Sequence, residues 1–474
     1  MTENEKRQAP LAQLAAFTAA LTWEQLPQNV QQAVVYRVLD LVSVSVGASG
    51  DPLVEHLKEA VEMLSGGPPA QGVHLWGEPE GRTWSVESAS LLNAMLAHTL
   101  ELDDVHPASK CHGSACLIPA AWSLGERLQS SGKELLTAVV AGYETAFRIG
   151  RAFGVTEHRK RGWHATSTCG VFGAAAACAH LLQLNPEQTA NALGLAGSQA
   201  TGVWAFLGDG TNSKVLNPGQ AAAAGLRSAL FARAGMTGPV HILEAQDGGL
   251  LKAMSDGGCL EQVAANLGET WEILHMDMKP YPCCRSAHGS IDAAKLLRRE
   301  ILQALNLPET VSPKVLSQKL RDLQVGIYQI GYAQCAYSEG CLRPQTPLEA
   351  RFSLPYTVAC ALLYGRVDQS LFTQREIRMP LVQQLMTKIQ VKEDPELTAA
   401  YPAHWSAWVQ VTLEAGRTFR QLVQDPAGSF QHPLSQEDAL AKASGLLAVR
   451  YGAQAQVLAE KLLALPKLER LPLL

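Results

Sequence analysis

Four short segments of this chain place ionisable side chains beside glycine or proline at the expected ends of helices. The first, His98 to Ser114 (HTLELDDVHPASKCHGS), holds Glu101, Asp103, Asp104, His106 and His112. Carboxylates followed closely by histidines are the side chains of proton transfer, and also of metal ligation. A solvated acidic helix end would explain a lone Asp-Asp pair, but the two histidines close behind argue for a site. Zinc or iron is disfavoured because neither HxH nor HExxH spacing occurs.

The second segment is Gly162-Trp163-His164-Ala165-Thr166, ahead of an Ala/Gly-rich helix. Free backbone N–H groups at such a start attract anions. The positive end of the dipole also lowers an imidazole's pKa, which suits His164 to act as a base near neutral pH. Simple capping by His164 or Thr166 is the plainer alternative. The third segment, Gly208 to Lys214 (GDGTNSK), precedes Pro218-Gly219 and another small-residue helix. It lacks the GxxxxGK[ST] order of a phosphate loop. Lys214 supplies one fixed positive charge there, unless it is merely a solvated loop lysine. The fourth segment is Lys279 to Gly289 (KPYPCCRSAHG). Its prolines stiffen the lead-in, and Arg285 offers a planar fork for a carboxylate, with His288 close by. A rigid linker with solvated charges would read the same. A nucleophilic Cys283 or Cys284 has no supporting Cys/His/Asn signature.

Lys214, Lys279 and Arg285, with His112 and His164, fit one interdomain cleft. Such a site takes a substrate with two or three carboxylates, and its cations stabilise the carbanion or enolate left when a neighbouring C–H loses its proton. No nucleotide fingerprint, flavin motif or pyridoxal-lysine context occurs, so the expectation is chemistry with no cofactor and no metal.

Helices must position these segments. Leu11 to Leu21, Gln28 to Val46, Val86 to Leu102, Lys133 to Phe153, Thr166 to Leu184 and Pro186 to Thr201 carry apolar residues at helical spacing. Their stop signals are glycines and prolines such as Gly154, Pro186 and Gly202. The runs GVFGAAAACA (170–179) and GQAAAAG (219–225) predict closely approaching backbones in a tight bundle. Near residue 275 the character changes. Leu323 to Ile330, Thr387 to Val391 and Trp408 to Leu413 alternate like half-buried strands, with a hairpin turn at Glu414 to Arg417. Helical stretches at Leu348 to Leu363 and Asp368 to Phe372 lie between them, and Ser435 to Leu447 and Gln454 to Leu463 are helical again. The expected fold is mainly α with a smaller α+β domain. Residues 1–275 form a helical domain, 276–425 an inserted α+β lid, and 426–474 helices that return to the first domain.

The 474 residues exceed one core, and 47% apolar with 18% charged is ordinary globular composition. A net charge of −5 with mixed signs excludes the basic stripe of a nucleic-acid binder. The polar start, Met1 to Pro10, lacks a targeting signal, and no apolar run is long enough to span a membrane. Ten scattered cysteines without a CxxC pair predict reduced thiols in a cytoplasmic protein.

Six stretches occur in an order that resembles the MmgE/PrpD family of 2-methylcitrate dehydratases, cis-aconitate decarboxylases and iminodisuccinate epimerases. They are ELDDVHPASKCHGSACLIPAA, GWHATSTCGVFGAAAA, NALGLAGSQATG, GTNSKVLNPGQAA, KPYPCCRSAHGSIDA and EARFSLPYTVACAL. The resemblance covers nearly the whole chain. It implies a helical domain built from both chain ends, a smaller lid, a cleft between them and a homodimer. The family's cleft positions fall on Asp103, Asp104, His112, His164, Lys214 and Lys279, with Tyr332 as a further match. Related cis-aconitate decarboxylases carry Asp at the Glu101 position, Thr at that of Val105, and one residue fewer between Asp104 and His112.

The resulting expectation is a lyase for a small polycarboxylate, either a 2-methylcitrate-like dehydratase or a cis-aconitate decarboxylase. An epimerase of an imino- or amino-dicarboxylate and a non-catalytic binding homologue are the alternatives. His112 or His164 would be base or acid, and Asp104 would orient a histidine. Asp103, Lys214, Lys279, Arg285 and His288 would bind substrate, and Tyr332 would deliver a proton from the opposite face.

Overall fold

Small side chains decide how the N-terminal helices meet. The computed structural model describes residues 8–78 and 81–474. Its N-terminal helices are α1 (Pro10–Ala20), α2 (Gln28–Gly47), α3 (Pro52–Ser65), α4 (Val86–Thr99), α5 (Gly113–Leu128), α6 (Gly132–Phe153), α7 (Ala165–Leu181), α8 (Pro186–Gly197) and α9 (Leu216–Arg233). The alanine-rich α7 is buried nearly end to end, with α5, α6 and α9 against it. A Cβ on Gly173 would lie 2.9 Å from both Ala146 Cβ and Gly142 O, and one on Gly225 would lie 2.7 Å from Val171 O. Glycine is therefore what lets α6, α7 and α9 approach so closely.

Caps set several helix starts. Ser131 and Glu134 form a capping box on α6, and Ser85 accepts from Ser88 N at the start of α4. Sequence periodicity does not mark helix α5. Gly113 and Pro119 both read as breakers, yet Pro119 sits buried inside α5, where packing outweighs local preference. The stretch expected to be helical from Leu348 to Leu363 is two helices, Pro347–Arg351 and α11 (Leu354–Tyr364). The second helix has its own start, because Ser353 Oγ accepts from Tyr356 N at 3.1 Å.

The second half carries α10 (His288–Ala304) and a four-stranded sheet of order β2-β1-β3-β4. Its strands are β1 (Leu320–Ile327), β2 (Ile389–Glu393), β3 (Ala407–Leu413) and β4 (Thr418–Val423). β1 runs parallel to β2, pairing Val325 with Val391, and antiparallel to β3, pairing Val325 with Val409. The β3–β4 hairpin turns through Glu414 to Arg417, with Gly416 at φ 87°. The chain then returns through α12 (Gln436–Tyr451) and α13 (Ala455–Leu463).

Two large apolar cores result. One gathers side chains from Leu11 to Met276 together with Ala443, Leu447, Ala459 and Leu462 of the returning helices. The other gathers Tyr281 to Phe419 around the sheet, α10 and α11. The fold is thus mainly α with a small α+β part. All ten cysteines are free thiols, nine of them buried. Among the described residues, no single helix is long and apolar enough to cross a membrane.

Candidate active site

Three histidines gather at the ends of three helices, and two of them, His112 and His164, line one cavity. His98 lies in the last turn of α4, while His112 and His164 are the residues immediately before α5 and α7. Neither of the latter side chains caps its helix. Backbone bonds hold both loops instead, His112 N donating to Thr166 Oγ1 at 3.2 Å and His164 N to Gly202 O at 3.0 Å. The rings are left free for the cavity. His98 stands between the other two, with centroids 5.0 Å from His112 and 6.1 Å from His164.

The cavity is small and partly open. Residues from both cores line it. Glu101, Val105, Lys110, His112, His164, Trp204 and Lys214 come from the first half, and Lys279, Cys284, Arg285, Ser286, Gln334, Phe352 and Trp405 from the second.

Its charged floor is built around Glu101. Helix α4 stops at Thr99, three residues earlier than its periodicity suggests, and Glu101 turns into the left-handed region at φ 53°. Lys214 Nζ forms a very short ion pair with Glu101 Oε1. Lys279 Nζ donates to Glu101 O at 3.0 Å and lies 3.7 Å from Oε2. It also stands 3.9 Å from Asp103 Oδ1. Burial pushes the Glu101 carboxyl up, but Lys214, Lys279 and His98 outweigh it and hold the group at about 2. Burial, with repulsion from Lys279, lowers Lys214 against the pull of Glu101 and Asp103.

Asp103 organises the histidines. Its Oδ2 accepts from His98 Nδ1 at 2.7 Å. His112 Nδ1 stands 3.2 Å from the same oxygen, off the hydrogen-bond axis. Burial opposes the charge on Asp103, yet His98, His112 and Lys279 keep it well below the ordinary carboxylate range. Burial lowers His112 to about 4 against the pull of Asp103, and lowers His164 well below the usual histidine value, with Lys214 adding to it. Both rings are neutral near pH 7. Asn217 Nδ2 lies 2.9 Å from His164 Nδ1, a contact in which the amide donates. The ring's own proton then sits on Nε2.

His98, Asp103 and His112 offer ligand atoms all within 4.8 Å of one another, as a metal site would. Lys214 already donates to His98 Nε2 at 2.8 Å, and Lys279 stands beside Asp103. A divalent cation there would meet two ammonium groups, so this donor set fits a metal poorly.

The expected residues divide into two groups. His112, His164, Lys214, Lys279 and Asp103 converge as the sequence led us to expect. Asp103, however, holds histidines and is fully buried, instead of facing a ligand. Asp104 points the other way. Its Oδ2 accepts from Ser114 Oγ at 2.5 Å, and Ser114 in turn contacts Tyr143. The histidine-orienting carboxylate is therefore Asp103. Adjacent residues in this extended stretch face opposite ways, and Asp103 is the one turned toward the rings. Arg285 borders the cavity, but its donors go to Asp277 Oδ2 (2.8 Å), Ala427 O (2.9 Å) and Pro426 O (3.4 Å). His288 is buried against Arg285, with Nδ1 2.9 Å from Nη1, and does not line the cavity. Tyr332 is half-buried against the second core, and Gln334, two residues on, reaches the cavity in its place.

His98, Lys110, Trp204, Gln334, Phe352 and Trp405 were missed from sequence. His98 had a signal in its place five residues before Asp103, at the end of an apolar helix. Gln334 and Trp405 had none, since only the tertiary fold carries them to the site.

Residues 12–262 match the model of the MmgE/PrpD N-terminal domain, and residues 281–465 match that of the MmgE/PrpD C-terminal domain. A cis-aconitate decarboxylase-like protein of Aspergillus oryzae is 28% identical over 450 residues, covering 90% of this chain and 88% of its own. A cis-aconitate decarboxylase of Aspergillus terreus is 25% identical over 445 residues, covering 91% and 88%. That of Homo sapiens is 27% identical over 372 residues, covering 77% and 73%. With both domains matched in order across most of its length, the chain belongs to the MmgE/PrpD family.

Proposed function

We propose that the cavity is the active site of a cofactor-independent lyase that moves protons at carbon on a small di- or tricarboxylate. One observation carries this reading: neutral imidazoles at His112 and His164 face the same buried space as the ammonium groups of Lys214 and Lys279. Neutral rings exchange protons at neutral pH, and the lysines stabilise the carboxylate-delocalised charge of a carbanion.

The roles follow from which nitrogen is free. His112 turns Nδ1 toward Asp103, so its Nε2 lone pair is the base. His164 carries its proton on Nε2 and is the donor. In a decarboxylation, the C–C bond breaks, CO2 leaves, and the electron pair remaining on carbon takes the proton of His164. In a dehydration, His112 takes the C–H proton and His164 protonates the departing hydroxyl. The named relatives make cis-aconitate the first substrate to try.

The test is NMR of purified protein in deuterated water with cis-aconitate, citrate, 2-methylcitrate and iminodisuccinate. Net product from cis-aconitate supports the decarboxylase, and product from 2-methylcitrate the dehydratase. Deuterium incorporation without net product points to an epimerase. Ligand-induced stabilisation with neither product nor exchange defeats the enzymatic reading.

A further inference from the structure

The three lysines of the cavity are not equivalent. Lys214 and Lys279 are matched by Glu101 and Asp103. Lys110 has no carboxylate partner among the described residues. Its Nζ donates to Gln334 Oε1 at 3.0 Å, and the rings of Tyr401 and Trp405 lie 5.7 and 5.5 Å away. One amide oxygen and two π faces replace the water of an ammonium only in part. Arg159 approaches the same side, stacked over Trp204 at 4.3 Å, with its Nε buried and unpartnered among the described residues. Among the described residues, this side of the cavity carries positive charge without a carboxylate counter-ion.

The loop is built to aim Lys110 there. His106 N donates to Cys111 O at 3.0 Å, and Ser109 Oγ accepts from Cys111 N at 3.3 Å. The turn between them places Lys110 at φ 55°, the left-handed region that a side-chain-bearing residue enters at a cost.

We propose that Lys110 anchors one carboxylate of the bound substrate, the one that Lys214 and Lys279 do not hold, and so sets how many carboxylates the cavity selects. This deepens, and rests on, the reading of the cavity as a polycarboxylate site. A ligand carboxylate gives Lys110 the counter-ion it lacks, and Trp204 and Trp405 shield the pair from water. The groups facing Lys110 are Arg159, Cys284, Cys335, Gln334, Tyr401 and Trp405. Burial, with repulsion from Arg159, brings its amine down to about 7 against the two thiols. An arriving anion favours the charged amine, so binding takes up a proton near and above that pH.

The test uses tricarballylate and glutarate, inert acids that differ by the central carboxylate. Their affinities are measured by calorimetry at pH 7.5 in two buffers of different ionisation heat. The wild type is expected to prefer tricarballylate by about tenfold or more and to take up a proton. Lys110→Met loses that preference and the uptake, while Lys110→Arg keeps the preference without the uptake. Unchanged preference in a normally folded Lys110→Met overturns the Lys110 assignment alone. Failure of the wild type to bind either acid defeats the polycarboxylate reading and this subsite with it. Should Lys110→Met not fold, Lys110→Arg decides, because proton uptake that persists there cannot come from Lys110.

Discussion

Lys214 Nζ lies 2.8 Å from Nε2 of His98, and the opposite nitrogen of that ring donates to Asp103. The imidazole therefore links a buried cation to a buried carboxylate, and Asp103 reaches on to His112. In the proposed reaction Asp103 and His98 would act through their neighbours, as positioning residues.

Asp103→Asn tests that role. The amide keeps the shape but removes the negative charge, so His112 loses the pull that orients its Nδ1 and Lys279 part of its neutralising charge. We expect kcat to fall by about 100-fold or more with KM changed far less. Steady-state kinetics on whichever acid turns over checks this. A matching rise in KM with kcat intact would move Asp103 to ground-state binding.

The pH dependence of kcat separates His112 from an ordinary histidine. A base must be neutral, and burial holds His112 at about 4. Lowering pH through 6.5 should leave kcat level, with the loss beginning only as pH nears 4. Glu101, held at about 2, keeps its charge across that range. An acid limb centred near 6.5 would take the role of base away from His112.

How much of this was legible in the sequence depended on the range of the interaction that decides each feature. The Ala/Gly runs of α7 and α9 announced close packing because glycine's use there is local. His112, His164 and Lys214 stood out because helix starts are marked by neighbours in sequence. Pro119 hid α5, since its burial among other helices is a tertiary fact. The choice between Asp103 and Asp104 needed backbone direction, which two identical adjacent residues cannot reveal. Arg285 advertised a carboxylate and found one, but it was Asp277, eight residues back, and no composition rule distinguishes the protein's own anion from a ligand's. Lys110 lay in plain view, but its lack of a carboxylate partner is visible only in the fold.

Asp104 should make stability depend on pH in a direction opposite to that of Asp103. Burial raises its carboxyl to about 7, against the effects of Arg37 and Ser114. A raised carboxyl favours folding while protonated, below its unfolded value near 4, and that contribution is lost as pH rises through 7. Asp104→Asn keeps a neutral group at every pH. Relative to the wild type, the variant should therefore gain on the order of 1–3 kcal/mol between pH 5 and pH 8. Urea denaturation at the two values measures it, and a constant difference would mean that Asp104 does not titrate in this range.

Asp277 joins the segments that enclose the cavity, and its removal should cost more than the loss of any surface pair. Its backbone pairs with Val105, N to O at 2.8 and 3.1 Å, which fixes the loop carrying Asp103 and Asp104. Its side chain accepts from Arg285 Nε at 2.8 Å and from Phe430 N at 3.0 Å, tying the cavity rim to the returning chain. Asp277→Ala leaves the Arg285 guanidinium buried with only two carbonyl oxygens and the neutral His288 ring beside it, and breaking such a pair costs about 3–5 kcal/mol. The cost comes from the stranded charge more than from the lost contact. Asp277→Leu combined with Arg285→Met should therefore be more stable than Asp277→Leu alone, with a coupling of roughly 1–3 kcal/mol in a double-mutant cycle. Denaturation midpoints of the four proteins measure it. Additive losses would show that Arg285 finds another counter-ion, and that its side chain is free to turn into the cavity after all.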